Sequence, residues 1–526
     1  VGAGVAAPLI EGDIRFGTGD DLLELADGGY KGTTTFGEGV DRLTMTGDAV
    51  FEGTARFGGG ADQMSLANTS VFSGTADFGL GANVLTIANT ARFSGTLVNA
   101  SSLAVTVSGG VLDITAPTAI SSLSMGATSV LLVTLDKTAG EGTFINVAGA
   151  ASFADGALVQ LRIADLDDAE GTYAFLQAGS LSGVADLEIS QTTLPFLFKA
   201  TLGSDPVANR LSISIARRTA TELGLNTSQS RAYNAVIAAL GEDAQLEDLF
   251  LSVNTGETFR GALGQMLPDH AGGGFEGLSL GLRTLARPQA QPTGPVYSFG
   301  GLDVILNSAV WNTGKDEGST ARFDLAGVGA SVAGEVDNSL GTFGAAISWA
   351  FNDHDQGDDR ASVYSNAYEF ALYWRGNWDG FTAYGRGSVG RASFKSERSL
   401  RGQLGTTTVE RVAEGSWSGN FYTASGGLAY EMGGGALFFR PNVSVDYLSL
   451  SEGAYTDTGG GDGFNLIVEK RSSDELAANG GVALGIDFNG TGPGDTNWFR
   501  VEGEGGWREI VGRSEEHTSE LQSLSH

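Results

Sequence analysis

Gly277-Leu-Ser279-Leu-Gly281 has the G-x-S-x-G spacing that lifts a nucleophilic serine onto a sharp strand-to-helix turn. No strand-like run precedes it, and a serine nucleophile also needs a histidine base. The chain has four His. His517 and His526 fall at the far end, and His270 and His354 have no partner at a useful spacing. Gly385-Arg-Gly387-Ser-Val-Gly390 has the G-x-G-x-x-G spacing of a phosphate cradle, but alternating strand residues surround it where a helix should follow. Asp353, Asp355, Asp358 and Asp359 flank His354 and offer hard ligands, but the default reading is a solvated loop between two strands at the rim of a barrel. The most regular signal is G-x-G-x-D, which ends at Asp21, Asp41 and Asp62. Calcium takes six to eight oxygens, so carboxylates from successive repeats would have to converge. The competing reading is that these Asp side chains cap Gly turns through local bonds to backbone. The expectation is no catalytic residue, no cofactor and no metal, with Asp21, Asp41 and Asp62 as weak calcium candidates.

The element that carries those Asp residues is a repeat. Phe16, Phe36, Phe57 and Phe78 each open an F-G-x-G unit, at steps of 20, 21 and 21 residues. The fourth unit has Asn83 where the others have Asp. A second unit, aromatic-x-G-T, starts at Tyr30, Phe51, Phe72 and Phe93. A fixed period near 21 without helical spacing marks a β-solenoid whose coils bury their apolar faces on one another. Three internal columns follow: Phe36, Phe57 and Phe78; Phe51, Phe72 and Phe93; and Leu43, Met64 and Leu85. The strict period covers residues 1–96. Strand-like runs such as Leu131–Leu135, Leu158–Ile163 and Leu211–Ile215 continue over 97–218, which is expected to hold the solenoid cap.

Composition supports β structure. Gly accounts for 80 of 526 residues and Pro for only 10, with no Gly-X-Y period. The formal net charge of −31 opposes binding to nucleic-acid phosphates. The absence of Cys excludes disulfides and thiolate metal sites. No run of eighteen apolar residues suggests a transmembrane helix. The chain begins at Val1 without a recognisable secretory signal, which reads as a missing N-terminus. At the other end, Arg513 to Ser523 reads RSEEHTSELQS, which resembles a translated sequencing adapter. The native frame is therefore expected to stop near Gly512, leaving 513–526 as a non-native tail.

Residues 219–274 change to helical spacing. Tyr233, Val236, Ile237 and Leu240 form one apolar stripe, Leu246, Leu249, Phe250 and Val253 another, and Phe259, Leu263, Met266 and Leu267 a third. Over 275–296, a helix from Phe275 to Arg287 is followed by a linker with three Pro. From 297 to 512 the period is two. Tyr364, Tyr368, Phe370, Leu372, Trp374 and Trp378 share one phase, and Ala367, Glu369, Ala371, Tyr373 and Arg375 share the other. A soluble sandwich would bury the apolar phase. A membrane barrel turns it to lipid and the charged phase to the lumen. Long strands with aromatics at their ends favour the barrel, and about nine such strands are countable.

This order resembles a classical autotransporter of the Gram-negative outer membrane. The likeness rests on Gly171-Thr-Tyr-Ala-Phe-Leu176 through Leu211-Ser-Ile-Ser-Ile-Ala-Arg217 as a passenger end, and on Leu223–Gln229 to Leu267–Gly272 as the helical junction. Phe439-Arg-Pro-Asn-Val443 with Asp446-Tyr-Leu448 supplies a barrel strand. The resemblance implies an all-β chain with a small helical junction: a parallel, right-handed β-solenoid, then an incomplete antiparallel transmembrane barrel with a lumen helix. About nine of the family's twelve strands would be present, and the aromatic C-terminal residue would be missing. It also implies that the barrel exports and displays its own passenger at the cell surface. The implied partners are outer-membrane lipid, barrel-assembly machinery and an extracellular or host surface ligand, with no nucleic acid, and the implied state is a monomer. The passenger is expected to be an adhesin or structural element and the chain not an enzyme. One alternative is an autotransported hydrolase whose esterase or protease domain lies upstream of Val1. Another is a calcium-binding solenoid adhesin, since G-x-G-x-D resembles half of the calcium nonapeptide of repeats-in-toxin proteins.

Overall fold

The computed structural model describes residues 8–135, 145–163, 166, 169–190, 193–268, 272–291, 296–318, 321–356, 361–434, 436–488 and 499–516. Two compact units are present: Val1–Leu223 with Phe250–Phe259, and Gly224–Leu249 with Arg260–His526. The described residues include no helix long and apolar enough to cross a membrane.

In the first unit, short strands stack in parallel into two sheets, and each coil contributes one strand to each. The 21-residue repeat sets the register: Phe51 pairs with Phe72 and Phe72 with Phe93, while Leu43, Met64 and Leu85 align in the other sheet. Phe16, Phe36, Phe57 and Phe78 stack face to face, each step with ring centroids 5.0 Å apart. Tyr30, Phe51, Phe72 and Phe93 form the second aromatic column at 4.8, 4.8 and 5.2 Å. The three expected columns are all present. Gly53 explains the invariant Gly of the second unit. Its φ is 140°, and a Cβ there would lie 2.0 Å from the Gly32 carbonyl oxygen of the coil before.

The parallel stack ends where Phe198–Asp205 and Arg210–Arg217 form an antiparallel hairpin against Gly171–Ser182. Phe196, Phe250 and Phe259 pack in a cluster beside this hairpin, with ring centroids 6.2 and 5.9 Å apart. Antiparallel strands present a different edge from the coils, which stops further stacking.

The second unit holds a meander of long antiparallel strands. They are β1 (Leu302–Lys315), β2 (Phe323–Asn338), β3 (Gly341–Gln356), β4 (Ala361–Trp378), β5 (Phe381–Leu404), β6 (Thr407–Tyr430), β7 (Leu437–Glu452), β8 (Arg471–Phe488) and β9 (Phe499–Glu516). A short strand, Val296–Phe299, leads into β1. Among the described residues this first strand and β9 do not pair with each other, so the sheet is open. β9 runs four residues beyond the expected end at Gly512; residues 517–526 of the adapter-like tail lie outside the described residues.

Alternation along these strands separates two surfaces. Tyr368, Phe370, Leu372 and Trp378 point outward and are exposed, whereas Glu369, Tyr373 and Arg375 point inward and are buried. This inside-out polarity is that of a membrane barrel. The junction forms α1 (Thr227–Leu240), α2 (Ala244–Ser252) and α3 (Gly256–Gln265). Asn226 and Gln229 close a capping box at the start of α1. The lumen helix α4 runs Gly273–Ala290, longer than the expected Phe275–Arg287 and straight through Pro288. The tolerance of Pro288 has a local cause. Gln289, one residue on, is tied to the wall by Arg375 Nη1 on its carbonyl at 2.9 Å and by Arg386 Nε on its side chain at 2.7 Å.

Candidate functional site

The inward surface of the second unit is where its polar side chains converge. α4 lies against β1 to β3 because one of its faces is nearly bare. Gly273, Gly277 and Gly281 fall at i, i+4 and i+8. A Cβ at Gly277 would come within 2.5 Å of Leu325, and one at Gly281 within 2.7 Å of Trp311. The apolar face beside it, Phe275, Leu278, Leu282 and Leu285, packs with Trp311, Phe323 and Leu325. The G-x-S-x-G spacing is therefore a helix-packing pattern, and Ser279 is buried within the helix with its carbonyl accepting from Arg283 Nε at 3.2 Å.

Around this contact the lumen is lined by ion pairs. Arg375 meets Glu335 with both terminal nitrogens, at 3.0 and 2.8 Å, and Tyr373 donates to the same carboxylate at 2.7 Å. Arg386 pairs with Glu369 at 2.7 Å. Arg440 joins Glu431 and Glu502, Arg471 joins Glu452, and Arg508 joins Glu475 and Asp446. Arg287 of α4 reaches Glu502 at 2.6 Å and also Glu504. A cavity of about 600 Å³ remains between α4 and β5 to β9, edged by Arg283, Tyr384, Asp446 and Arg508. Strand alternation in the sequence already puts Glu369 and Arg375 on one face, and that face is the inward one.

At the end remote from the turn between Trp378 and Phe381, β5 and β6 extend to 24 residues each and form a projecting hairpin that closes between Leu404 and Thr407. Arg398, buried at its base, donates five hydrogen bonds. It bonds Asp457 through Nη2 at 2.6 Å and through Nε at 3.2 Å, and donates to the carbonyls of Phe464 at 2.8 Å, Met266 at 3.1 Å and Gln265 at 3.3 Å. Its guanidinium carbon also lies 4.5 Å from the Phe464 ring centroid. The C-terminal carbonyls of α3 are thus capped by a strand arginine. Arg411 on the same hairpin meets Asp243 and Gln245 at the start of α2. Sequence spacing does not reveal Asp457, which sits in the irregular segment between β7 and β8.

The calcium candidates lie in the solenoid and are brought together in one column. Asp41 Oδ1 accepts the Asp21 N–H at 2.9 Å, Asp62 Oδ1 accepts the Asp41 N–H at 3.0 Å, and Asn83 Oδ1 accepts the Asp62 N–H at 2.8 Å. Asn83 closes the series by donating its amide to the Phe78 carbonyl at 2.9 Å. Asp41 and Asp62 are fully buried, and among the described residues the second oxygens of Asp21, Asp41 and Asp62 have no hydrogen-bond partner. Burial pushes the Asp62 carboxyl above its usual range, against the opposing pull of the Asp41 N–H. These bonds join one coil to the next, whereas the turn-capping reading expected bonds within a turn.

The other candidates are not assembled. His354 points inward, against the start of α4, where a Cβ on Gly273 would lie 1.9 Å from its ring. Asp353 and Asp355 point to the opposite side of the same strand, because alternation separates neighbours. Asp358, Asp359 and His270 lie outside the described residues. Gly385 to Gly390 lies inside β5.

Comparison with known proteins bears on the second unit. The family described as "Autotransporter beta-domain" matches residues 308–524. No curated protein sequence matches the chain. Among solved structures, the translocator domain of the autotransporter NalP from Neisseria meningitidis is similar at 16% identity. That match covers 44% of this chain and 83% of that one, with a TM-score of 0.33. The family match, the inside-out strands and the lumen helix agree that residues 308–524 are an autotransporter β-domain, an outer-membrane domain preceded in this chain by a β-helical, surface-exposed passenger.

Proposed function

We propose that the passenger serves as a structural or adhesive element displayed by its own barrel, and that the chain is not an enzyme. One observation carries this reading: the solenoid repeats the same surface coil after coil. Thr33, Thr54, Thr75 and Thr96 align in register along one sheet, and Thr44, Ser65, Thr86 and Thr106 along the other. Such rows of small hydroxyl side chains make a flat, periodic face suited to a repetitive extracellular partner, whereas catalysis requires a concave site with convergent groups. Assembly machinery of the outer membrane is the partner this role requires, because unpaired strand edges in lipid are costly until the barrel closes.

The test is display on a bacterial surface. Cells making the chain should expose the solenoid to added protease and should bind a host-cell or matrix surface more than cells making the β-domain alone. Hydrolysis of generic ester or peptide substrates by the displayed passenger, with no gain in binding, would replace this reading with the autotransported hydrolase.

A further inference from the structure

The outward face of β4 to β6 changes character at one level. On β5 the outward residues from Phe381 to Val389 are apolar or Gly, and the next outward position is Arg391. On β4 the same level has Tyr368 directly opposite Arg391, with Phe370 on the apolar side of it. On β6 Asn420 pairs with Arg391, with Tyr422 on the apolar side of it. A groove of about 810 Å³ is open to the exterior between these strands. Phe370 and Val389 form its apolar floor, Tyr368 and Tyr422 its flanks, and Arg391 and Asn420 its polar end. It is thus amphipathic along the barrel wall, in the direction a membrane lipid lies.

Arg391 differs from the arginines of the lumen. Arg375, Arg386, Arg398, Arg440, Arg471 and Arg508 each face a carboxylate. Among the described residues Arg391 has only the Ser418 hydroxyl, at 2.7 Å. An unpaired guanidinium at the edge of the lipid-facing band is costly unless an anion meets it there. The level is the outer one. The passenger precedes α4, and the first residue of α4, Gly273, lies by His354, near the ends of β3 and β4 remote from the tight turn Trp378–Phe381.

We propose that this groove is a binding site for a phosphorylated, multiply acylated lipid of the outer leaflet. An acyl chain lies on Phe370 and Val389, the tyrosines bracket the glycerol or sugar region, and the phosphate takes the bidentate donors of Arg391. The site rests on the outer-membrane reading of the barrel, so folding is scored in the same samples. The full chain, folded in detergent micelles, is incubated with a bisphosphorylated, acylated glucosamine disaccharide or with its dephosphorylated form. Retained lipid is read by native mass spectrometry and insertion of the strands by their protection from added protease in the micelle. The phosphorylated lipid should be retained about fivefold more, the worth of one cation near a headgroup. Arg391→Gln should abolish that preference, Arg391→Lys should keep most of it, and Val389→Trp should weaken retention of both lipids by filling the groove. Equal retention of the two lipids, a preference that survives Arg391→Gln, or complete displacement by inorganic phosphate would overturn the site. Loss of that protease protection in the unsubstituted chain would instead overturn the barrel reading beneath it.

Discussion

Asp62 gives one carboxylate oxygen, at 3.0 Å, to the backbone N–H of Asp41, which stands 21 residues earlier and one coil away. The equivalent positions repeat the bond from Asp21 to Asn83. A side chain that is repeated for calcium and one that is repeated as an inter-coil strut have the same sequence pattern, and experiments on this column separate them.

The first experiment is pH. The folded-state carboxyl of Asp62 is raised by burial. A raised carboxyl penalises the fold above its folded pKa, and the penalty disappears as pH falls through that value. Lowering pH from neutral should therefore increase amide-exchange protection of the coil around Gln63–Leu66, and Asp62→Asn should remove that dependence. Asp62→Asn at neutral pH should change stability by no more than about 1 kcal/mol, since an amide oxygen still accepts the bond. A calcium-dependent gain in protection that Asp41→Asn or Asp62→Asn abolishes would instead establish the calcium solenoid.

Phe57→Ala should cost about 3–5 kcal/mol. Its ring is held between Phe36 and Phe78, both 5.0 Å away, so the walls of the cavity cannot close. Thermal melting of the full chain, followed by the solenoid signal, measures the loss.

Gly281→Val should unseat α4. The new Cβ would meet Trp311 at 2.7 Å, and overpacking of this kind costs about 1–3 kcal/mol. Proteolysis within Gly273–Ala290 should accelerate while the strands persist by circular dichroism.

Arg398→Ala should cost about 3–5 kcal/mol, because Asp457 is left buried and charged. Limited proteolysis should then cut near Gln265 and Met266, whose carbonyls lose their donor. Arg398→Lys should rescue only part of this protection, because an ammonium lacks the fork that spans Asp457 and the backbone carbonyls.

Much of the architecture was readable because it is periodic. The spacing of Phe36, Phe57 and Phe78 dictated a column, and the alternation from Tyr364 to Trp378 dictated which side chains face out. Gly277 and Ser279 match a nucleophile spacing, but the missing strand before them argues against that role, and what the glycines of that spacing do instead is let α4 pack closely on Leu325 and Trp311. What periodicity cannot carry is a contact between segments of different character. Arg398 finds Asp457 and the end of α3 across 59 and more than 130 residues, and no repeat links them. The extension of α4 through Pro288 was likewise hidden, because its support comes from Arg375 and Arg386 on the wall and not from the helix.

The parallel register of the coils also determines how the passenger bears load. Bonds such as Asp41 N–H to Asp62, and the ladders from Tyr30 through Phe51 and Phe72 to Phe93, run from coil to coil along the solenoid. Each coil touches chiefly its neighbours. Tension applied at the free end therefore falls on one interface at a time, and coils peel singly while those behind remain folded. A filament built this way lengthens in steps of about one repeat under shear flow, dissipating force as a serial extensible tether.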